Sequence, residues 1–449
     1  MSAETFLARL DSAPLNRFHW RLLAVSGAGW MFDAMDVLLI GFLLAPIRGE
    51  FGLDAVRTGL VASAGFAGMF FGAAVSGWLA DRYGRRNLVQ VTLLLFSVGS
   101  LLSAAAPSFE LLLAARLVAG LGLGGELPVI STLVSEFAPR AARGRFIVLL
   151  ESFWAYGTIA AGLIAVLALP VIGWRGAFAI GALPALYVAY LRRALPESPR
   201  FLAEHGRTAE ADAIVRRVER EGGGALVTVA RPVAPPRSSG ARVSDLFSAR
   251  YVRRTVMLWI LWFGVVLTYY GMFVFIPTLL AERGLSVVRS NEFFFFSTLA
   301  QVPGYWSAAW LVERVGRKAT LVAFLVGTAV AAFGFGNTGL GPDASATGPA
   351  FVWAALLSFF DLGAWGVVYT FSPELYPTAL RATGTGAAAA VGRLGGIAGP
   401  FLTPVIVAAA GQAAAFGLFT GLLLLTAFAV LVLAEETRGR SLEEIAPAA

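Results

Sequence analysis

Long apolar runs constrain this chain before any motif does. Runs of about 20 residues can be placed at 20–46, 58–80, 88–106, 111–134, 146–169, 174–194, 255–281, 292–312, 319–337, 350–372, 383–408 and 412–434. A helix of about 20 residues is about 30 Å long, the thickness of a bilayer's hydrocarbon core. In hydrocarbon every backbone N–H and C=O must be satisfied within the protein, which leaves helices as the spanning form for runs of this length. The 449 residues are 57% hydrophobic and 14% charged, and the mean hydropathy is +0.73. A soluble chain of this size needs a more polar surface. The runs therefore predict an all-α membrane protein with twelve transmembrane helices.

The polar stretch 195–254 divides the spans six and six. Its first part, PESPRFLAEHGRTAEADAIVRRVEREGGG, has helical spacing and mixed charge. The second, RPVAPPRSSG, reads as flexible linker. The expected organisation is a six-helix bundle over 1–194, a central loop with short helices over 195–254, a second bundle over 255–434 and a tail over 435–449. The opening MSAETFLARLDSAPLNRFHWR is polar and basic, so the first apolar run is expected to stay as a span. Arginine distribution orients the bundle. With the N-terminus in the cytoplasm, the inner segments carry Arg82, Arg85, Arg86, Arg140, Arg143, Arg145, Arg314, Arg317, Lys318 and Arg381. The outer loops carry Arg48, Arg57, Arg175, Arg283 and Arg289. Both termini and the central loop are expected in the cytoplasm.

The halves repeat. DRYGRR (81–86) returns as ERVGRK (313–318), 232 residues on. EFAPRAAR (136–143) returns as ELYPTALR (374–381), and LPESPR (195–200) as LAEETR (433–438), each 238 residues on. The three landmarks follow the second, fourth and sixth spans of their halves, the pattern of a duplicated bundle.

Other engines are excluded. The sequence has no G-x-x-x-x-G-K-[ST] loop, and its single lysine is Lys318 in GRKAT, so ATP-driven pumping is not encoded. GLGLGGELP (120–128) lies inside an apolar run, where its glycines serve close helix packing rather than phosphate binding. Cysteine is absent, and the two histidines, His19 and His205, lie in stretches that read as extramembrane. No metal site, cofactor or enzyme constellation is expected. The net charge of +7 fits basic inner loops better than nucleic-acid binding.

Seven ionisable residues lie deep in the spans: Asp33, Asp36, Arg116, Glu126, Glu151, Asp361 and Arg393. A charge at the bilayer centre costs roughly 2.5–3.5 kcal/mol on insertion scales, so such groups face a cavity or a partner. Five acids and two arginines cannot pair one to one. Some carboxyls are therefore expected to carry a proton in part of a cycle, which is proton coupling through Asp33, Asp36, Glu126, Glu151, Asp361 and Arg116. Asp33 and Asp36 share one helical face, so either one is protonated or they meet different partners, Arg116 being one candidate. Arg393, in VGRLGGIAGP, suits a carboxylate, either that of a substrate or of Asp361 or Asp33. Trp365 and Tyr369 are one turn apart, and with Trp154 of the other half they are expected to sandwich a flat ring. Tyr270 lies at a similar depth.

GWLADRYGRR (77–86) resembles the G-x-x-x-D-R-x-G-R-R loop of the major facilitator superfamily, and PESPRFL (196–202) resembles the end of the sixth helix in its sugar-porter branch. The resemblance implies that superfamily's fold, two pseudo-symmetric six-helix bundles, and a conformational latch. The latch residues would be Gly77, Asp81, Arg82, Gly84, Arg85 and Arg86, then Glu313, Arg314 and Arg317, with Glu136, Arg143, Glu374 and Arg381 in the second landmark. In the second copy Glu313 and Ala309 replace Asp and Gly, so that latch is expected to be looser.

Longer strings, among them GWMFDAMDV (29–37), GLGLGGELPVISTLVSEF (120–137), VLLESFWAYG (148–157) and LGAWGVVYTFSPELYPTALRATGTG (362–386), resemble the bacterial niacin transporters, which are related to organic-ion transporters and synaptic vesicle glycoproteins. That resemblance implies import of nicotinate across the bacterial inner membrane, with protons as the coupling ion. The protein is expected to be a monomer in the lipid bilayer. It assigns Arg393, in R-L-G, to the anionic substrate, and Trp365 and Trp154 to the walls of the central site. Asp361 stands where asparagine is expected in those transporters, and near Arg393 it would alter that residue's pairing. Substrate contacts are then expected from Arg393, Trp154, Tyr270, Trp365, Tyr369 and Asp33. Another aromatic acid, a sugar, an organic cation or a non-transporting receptor role are the alternatives.

Overall fold

The computed structural model describes residue 6 and residues 9–139, 142–222, 243–339 and 344–438. The expected linker at 231–240, Arg140 and the tail beyond 438 lie outside these residues. Every regular element among the described residues is helical. The first half comprises α1 (Arg17–Phe51), α2 (Ala55–Tyr83), α3 (Arg85–Ala105), α4 (Phe109–Phe137), α5 (Arg143–Glu151), α6 (Phe153–Leu163), a π-helical turn over Ile164–Ala168, α7 (Leu169–Gly181) and α8 (Pro184–Ala194). Two short helices follow, α9 (Pro199–Glu204) and α10 (Thr208–Glu221), then a 3-10 turn over Val243–Phe247. The second half comprises α11 (Val252–Phe273), α12 (Ile276–Glu282), α13 (Val287–Thr298), α14 (Gln301–Arg314), α15 (Arg317–Asn337), α16 (Ala344–Glu374) and α17 (Thr378–Leu433).

Among the described residues nine helical stretches are long and apolar enough to cross a membrane. Two of these, Arg145–Ala194 and Thr383–Leu433, each contain a break, at Gly173 (φ 68°) and at Gly411 (φ 83°). A left-handed backbone suits glycine, and one such residue turns the chain back so that each stretch holds two crossings. The pair α13 and α14 supplies the remaining crossing, giving the twelve read from the sequence. The outward faces are apolar: Val171 is 81% exposed and Leu186 and Trp306 are 74% exposed, which is stable against lipid and not against water.

Gly173 and Gly411 stand 238 residues apart, the repeat distance of the sequence landmarks. Gly84 (φ 94°) and Gly316 (φ 112°) stand 232 apart and do the same work. Each opens the helix after an arginine-rich loop, and a Cβ at either would run into a glutamate carboxylate, Glu197 or Glu436. Those carboxylates cap the helices. Glu197 Oε1 accepts from the Arg85 and Arg86 N–H groups at 3.0 and 3.3 Å. Glu436 accepts from Arg317 and Lys318 at 2.9 and 3.1 Å. A negative group at a helix N-terminus satisfies free N–H donors and the helix dipole together. The structural equivalent of Glu197 is thus Glu436, one residue on from the sequence register.

The glycine-rich run of α4 packs on α2. A Cβ at Gly120 would collide with the backbone of Gly65 and Gly68, and one at Gly124 with the backbone of Met69. This is the small-xxx-small contact that lets membrane helices approach closely, as expected for 120–128. Outside the bundle, the N-terminal segment is strapped to α10. Arg9 pairs with Asp212 at 2.7 Å and Glu219 at 2.6 Å, and Asn16 Nδ2 donates to the Val218 carbonyl at 2.8 Å. The Arg9 hydrogen bond holds the Asp212 carboxyl below its ordinary value.

The halves meet at the end of the bundle opposite the termini. Arg48 of α1 pairs with Glu282 of α12, Gly41 rests on the backbone of Val274, Gly59 on that of Phe401, and Asn291 Nδ2 reaches the Phe42 carbonyl at 3.5 Å. Substituting Gly120→Val is expected to destabilise the protein by about 1–3 kcal/mol through overpacking. The change is read as a lower thermal unfolding midpoint in detergent. Gly417→Ala, with open space at its Cβ, serves as the unchanged control.

Candidate functional site

The charged groups inside the bundle sort into a closed pair, an open group and two isolated acids. Asp36 and Arg116 form the closed pair. Arg116 Nη2 lies 2.9 Å from Asp36 Oδ2, the Ser100 hydroxyl donates to Asp36 Oδ1, and the guanidinium lies over the Phe178 ring, 5.2 Å from its centroid. Asp36 and Arg116 are 0% and 2% exposed. The pair joins α1, α3 and α4 within one half. Arg116, the candidate partner read from the sequence, is the one Asp36 meets.

Asp33, one turn earlier, belongs to the open group. It faces Glu126 of α4, with Asp36 and Arg393 next. Both carboxyls are fully buried, and none of their four oxygens accepts a hydrogen bond from a described donor. Gly29 makes the meeting possible, since a Cβ there would lie 2.5 Å from Glu126 Oε1. On α17 stands Arg393, half-buried. Its neighbours are Tyr270, Tyr369 and Asp33. Among the described residues no ion pair engages it. Gly396, one turn away, packs closely on Phe66, Val266 and Tyr270.

The aromatic walls come from both halves. Trp365 and Tyr369 lie nearly parallel, 5.6 Å apart at 30°, and Trp262 meets both edge-on at 5.9 and 5.4 Å. Trp262 is fixed by its Nε1–H donating to Ser372 at 3.0 Å. On the other side Trp154 packs on Trp30 at 5.1 Å and meets Tyr270 at 6.5 Å. Trp154 Nε1 donates across the interface to the Tyr269 hydroxyl at 3.1 Å, and Tyr269 in turn abuts Trp365 at 5.9 Å. Tyr269 thus touches both Trp154 and Trp365. The buried indole nitrogens of Trp30 and Trp365 have no acceptor among the described residues. Trp262, Trp30 and Gly29 were not singled out from the sequence. An aromatic or glycine in an apolar run carries no mark of which face it occupies.

Two acids stand apart. Glu151 ends α5 at a break and is buried near the phenols of Tyr270, Tyr305 and Tyr369. Asp361 is buried beside Tyr269, and its Oδ2 has no partner. Of the two acids the sequence left open for Arg393, Asp33 and Asp361, the one among its neighbours is Asp33.

The latch residues form the same network twice. Arg85 pairs with Asp81 at 2.9 Å and approaches Glu136 at 3.8 Å. Arg317 pairs with Glu313 at 3.5 Å and Glu374 at 3.2 Å. The second copy is therefore not uniformly looser: its loop acid is farther and its span acid closer. Thr437 tightens the latter, donating to Glu374 at 2.5 Å. Arg143 bonds the Ser135 carbonyl at 2.8 Å and pairs with Asp11, while Arg381 reaches the Tyr376 carbonyl at 3.5 Å. Arg82 stacks over Trp78 and Tyr83, and Arg314 over Trp310. Arg86 donates to the Arg192 carbonyl. Nothing lies within 4 Å of a Cβ at Gly77, so in this state that glycine makes no close approach.

Twelve spans in two repeated halves, with buried charges and aromatic rings between them, define a membrane transporter of the major facilitator type, not an enzyme. The chain belongs to the sugar (and other) transporter family, whose model matches residues 27–449. It is 47% identical to the niacin transporter NiaP of Acinetobacter baylyi, over 98% of this chain and 99% of that one. It is 30% identical to the synaptic vesicle 2-related protein of Xenopus laevis, over 98% of this chain and 83% of that one. In fold it resembles the partially occluded inward open xylose transporter XylE from E. coli, with a TM-score of 0.77 at 18% identity, covering 94% of this chain and 99% of that one.

The closed pair makes a direct expectation. Arg116→Leu alone leaves Asp36 charged and buried, which costs about 3–5 kcal/mol, whereas replacing both members by apolar residues is close to neutral. Thermal unfolding of Arg116→Leu and of the double variant with Asp36→Leu checks this, with the double variant the more stable of the two.

Proposed function

We propose that the protein imports nicotinate, or a closely similar aromatic monocarboxylate, across a bacterial inner membrane by proton symport. The observation that carries this reading is Arg393: a guanidinium at the cavity wall with no ion pair among the described residues, flanked by Tyr270 and Tyr369. It supplies the planar, two-point partner that a carboxylate takes. The Trp365–Tyr369 wall and Trp154 supply the flat faces that a pyridine ring takes. The name of the 47% identical relative points the same way. Tyr270 and Asp33 complete the substrate's surroundings, and the carboxyls of Asp33, Asp36, Glu126, Glu151 and Asp361, with Arg116, are the groups from which proton coupling is built. The working unit is a monomer, with bundles over 1–194 and 255–434 and a cytoplasmic loop over 195–254. The termini and the tail 435–449 lie in the cytoplasm, as the arginine-rich loops require. The latch arginines then lie at the inner surface, and the Arg48–Glu282 pair at the outer.

In proteoliposomes, labelled nicotinate is expected to accumulate above the empty-vesicle level and faster under an inward proton gradient. Uptake no greater than in empty vesicles removes the reading, and gradient-independent uptake leaves facilitated diffusion. Arg393→Ala is expected to weaken nicotinate binding about 30-fold or more, the cost of removing one partner of a buried charge pair. Nicotinamide, which lacks the charge, is expected to lose less. A competition binding panel with nicotinate, nicotinamide, benzoate and glucose checks both, and equal losses for nicotinate and nicotinamide make Arg393 structural.

A further inference from the structure

The four unpartnered oxygens of Asp33 and Glu126 are not used by the reading above beyond a general role in coupling. They come from α1 and α4, face each other and have Arg393 as the nearest cation not already paired. Two carboxylates in contact cannot both be ionised without large repulsion; such dyads hold a proton between them. A shared proton is also the donor that the four oxygens otherwise lack.

We propose that Asp33 and Glu126 form a single proton-binding dyad that exchanges with the substrate for the charge of Arg393. This rests on the reading of Arg393 as the substrate's counter-ion. When the cavity is empty the dyad holds one proton and one negative charge, matched by the guanidinium. When the substrate carboxylate takes Arg393, the dyad loses its counter-ion and takes up a second proton from the side on which substrate enters. The cavity is neutral in both states, so the loaded carrier has no net charge to move through hydrocarbon. On the other side, release of the substrate returns Arg393 to Asp33, and the second proton leaves. One proton moves per monocarboxylate.

The other ionisable groups either have partners of their own or stand apart from the Asp33–Glu126 contact. Asp36, on the same helix as Asp33, is held by Arg116 and Ser100. The Tyr187 phenol, which faces Glu126, donates to the Val25 carbonyl at 3.0 Å. Tyr270 and Tyr369 flank Arg393. Glu151 sits among phenols, and Asp361 lies beside Tyr269.

Two measurements on the full-length protein test this, one of them without substrate. Infrared difference spectra of the empty protein are expected to show a protonated-carboxyl band that is lost in Asp33→Asn and equally in Glu126→Gln, because either change leaves one carboxylate matched to Arg393. Any carboxyl band of Glu151 or Asp361 is common to all the spectra; a wild-type spectrum that loses no carboxyl band in either variant, or loses one in only one of them, overturns the dyad. Second, with a pH-indicator dye in weak buffer, nicotinate binding to the wild type is expected to take up one proton per ligand. Counted per nicotinate bound, the Asp33→Asn/Glu126→Gln double variant is expected to take up no proton and to show no gradient-driven accumulation. Wild type that binds nicotinate without proton uptake, or a double variant that takes up as many protons as wild type, overturns the coupling. Wild type that binds no nicotinate removes the substrate assignment, while the infrared result still decides the dyad.

Discussion

The cost of placing a charge in hydrocarbon governs how this bundle is arranged. That cost can be met by a fixed partner, which makes a charge structural, or by an aqueous cavity, which leaves it available. α1 carries one example of each, a single turn apart. Asp36 is saturated by Arg116 and Ser100, and the pair ties three helices of one half into a rigid unit. Asp33 faces another acid, Glu126, with Asp36 and Arg393 next, and among the described residues no ion pair engages that arginine. A rigid half with an unsatisfied charged face is what a carrier needs: the first property lets the half move as one body, and the second gives a ligand something to neutralise.

Aromatic residues of both halves surround that charged face. Trp154 and Tyr269 share a hydrogen bond across the two halves, and Trp262 is pinned by Ser372 so that it props Trp365 and Tyr369. The walls are therefore set by side-chain hydrogen bonds rather than by apolar contact alone. Contact between the halves at the end opposite the termini uses backbone approach at Gly41 and Gly59 and the Arg48–Glu282 pair. By contrast the Arg85 and Arg317 networks each bind acids of their own half. In this state the arginine-rich loops stiffen the halves, and the Arg48–Glu282 end holds them together.

The fold was legible in the sequence because its determinants are local and long. Twenty apolar residues read as a span whatever they touch, and DRYGRR and ERVGRK repeat in plain view. Gly173 and Gly411 were not recognised as the turns between closely joined spans, since a lone glycine in an apolar run looks like any packing glycine until its φ is known. The residues of the site were legible by type and not by partner. A carboxyl in a span announces its cost, but nothing in the sequence tells Asp33 from Asp36, or says that Arg393 neighbours Asp33 rather than Asp361. Those distinctions depend on helix rotation, which the apolar pattern leaves loose because lipid-facing and core-facing residues are equally hydrophobic.

That same looseness shows why the glycine contacts matter to function. A half that must rotate a buried carboxyl toward an arginine needs its helices locked against one another to within a fraction of a turn. Apolar side chains facing lipid give no such lock, since lipid is as good a neighbour as protein. Backbone contact does: Gly65 and Gly68 against Gly120, and Met69 against Gly124, fix the register of α2 on α4. The Asp36–Arg116 pair fixes α1 on α4. With α1, α2 and α4 thus indexed, Glu126 can arrive only over Gly29, and Asp33 can face only Glu126 and Arg393. The unsatisfied site is a consequence of the satisfied contacts around it, so substitutions that relax the α2–α4 register are equivalent, for the site, to moving its acids.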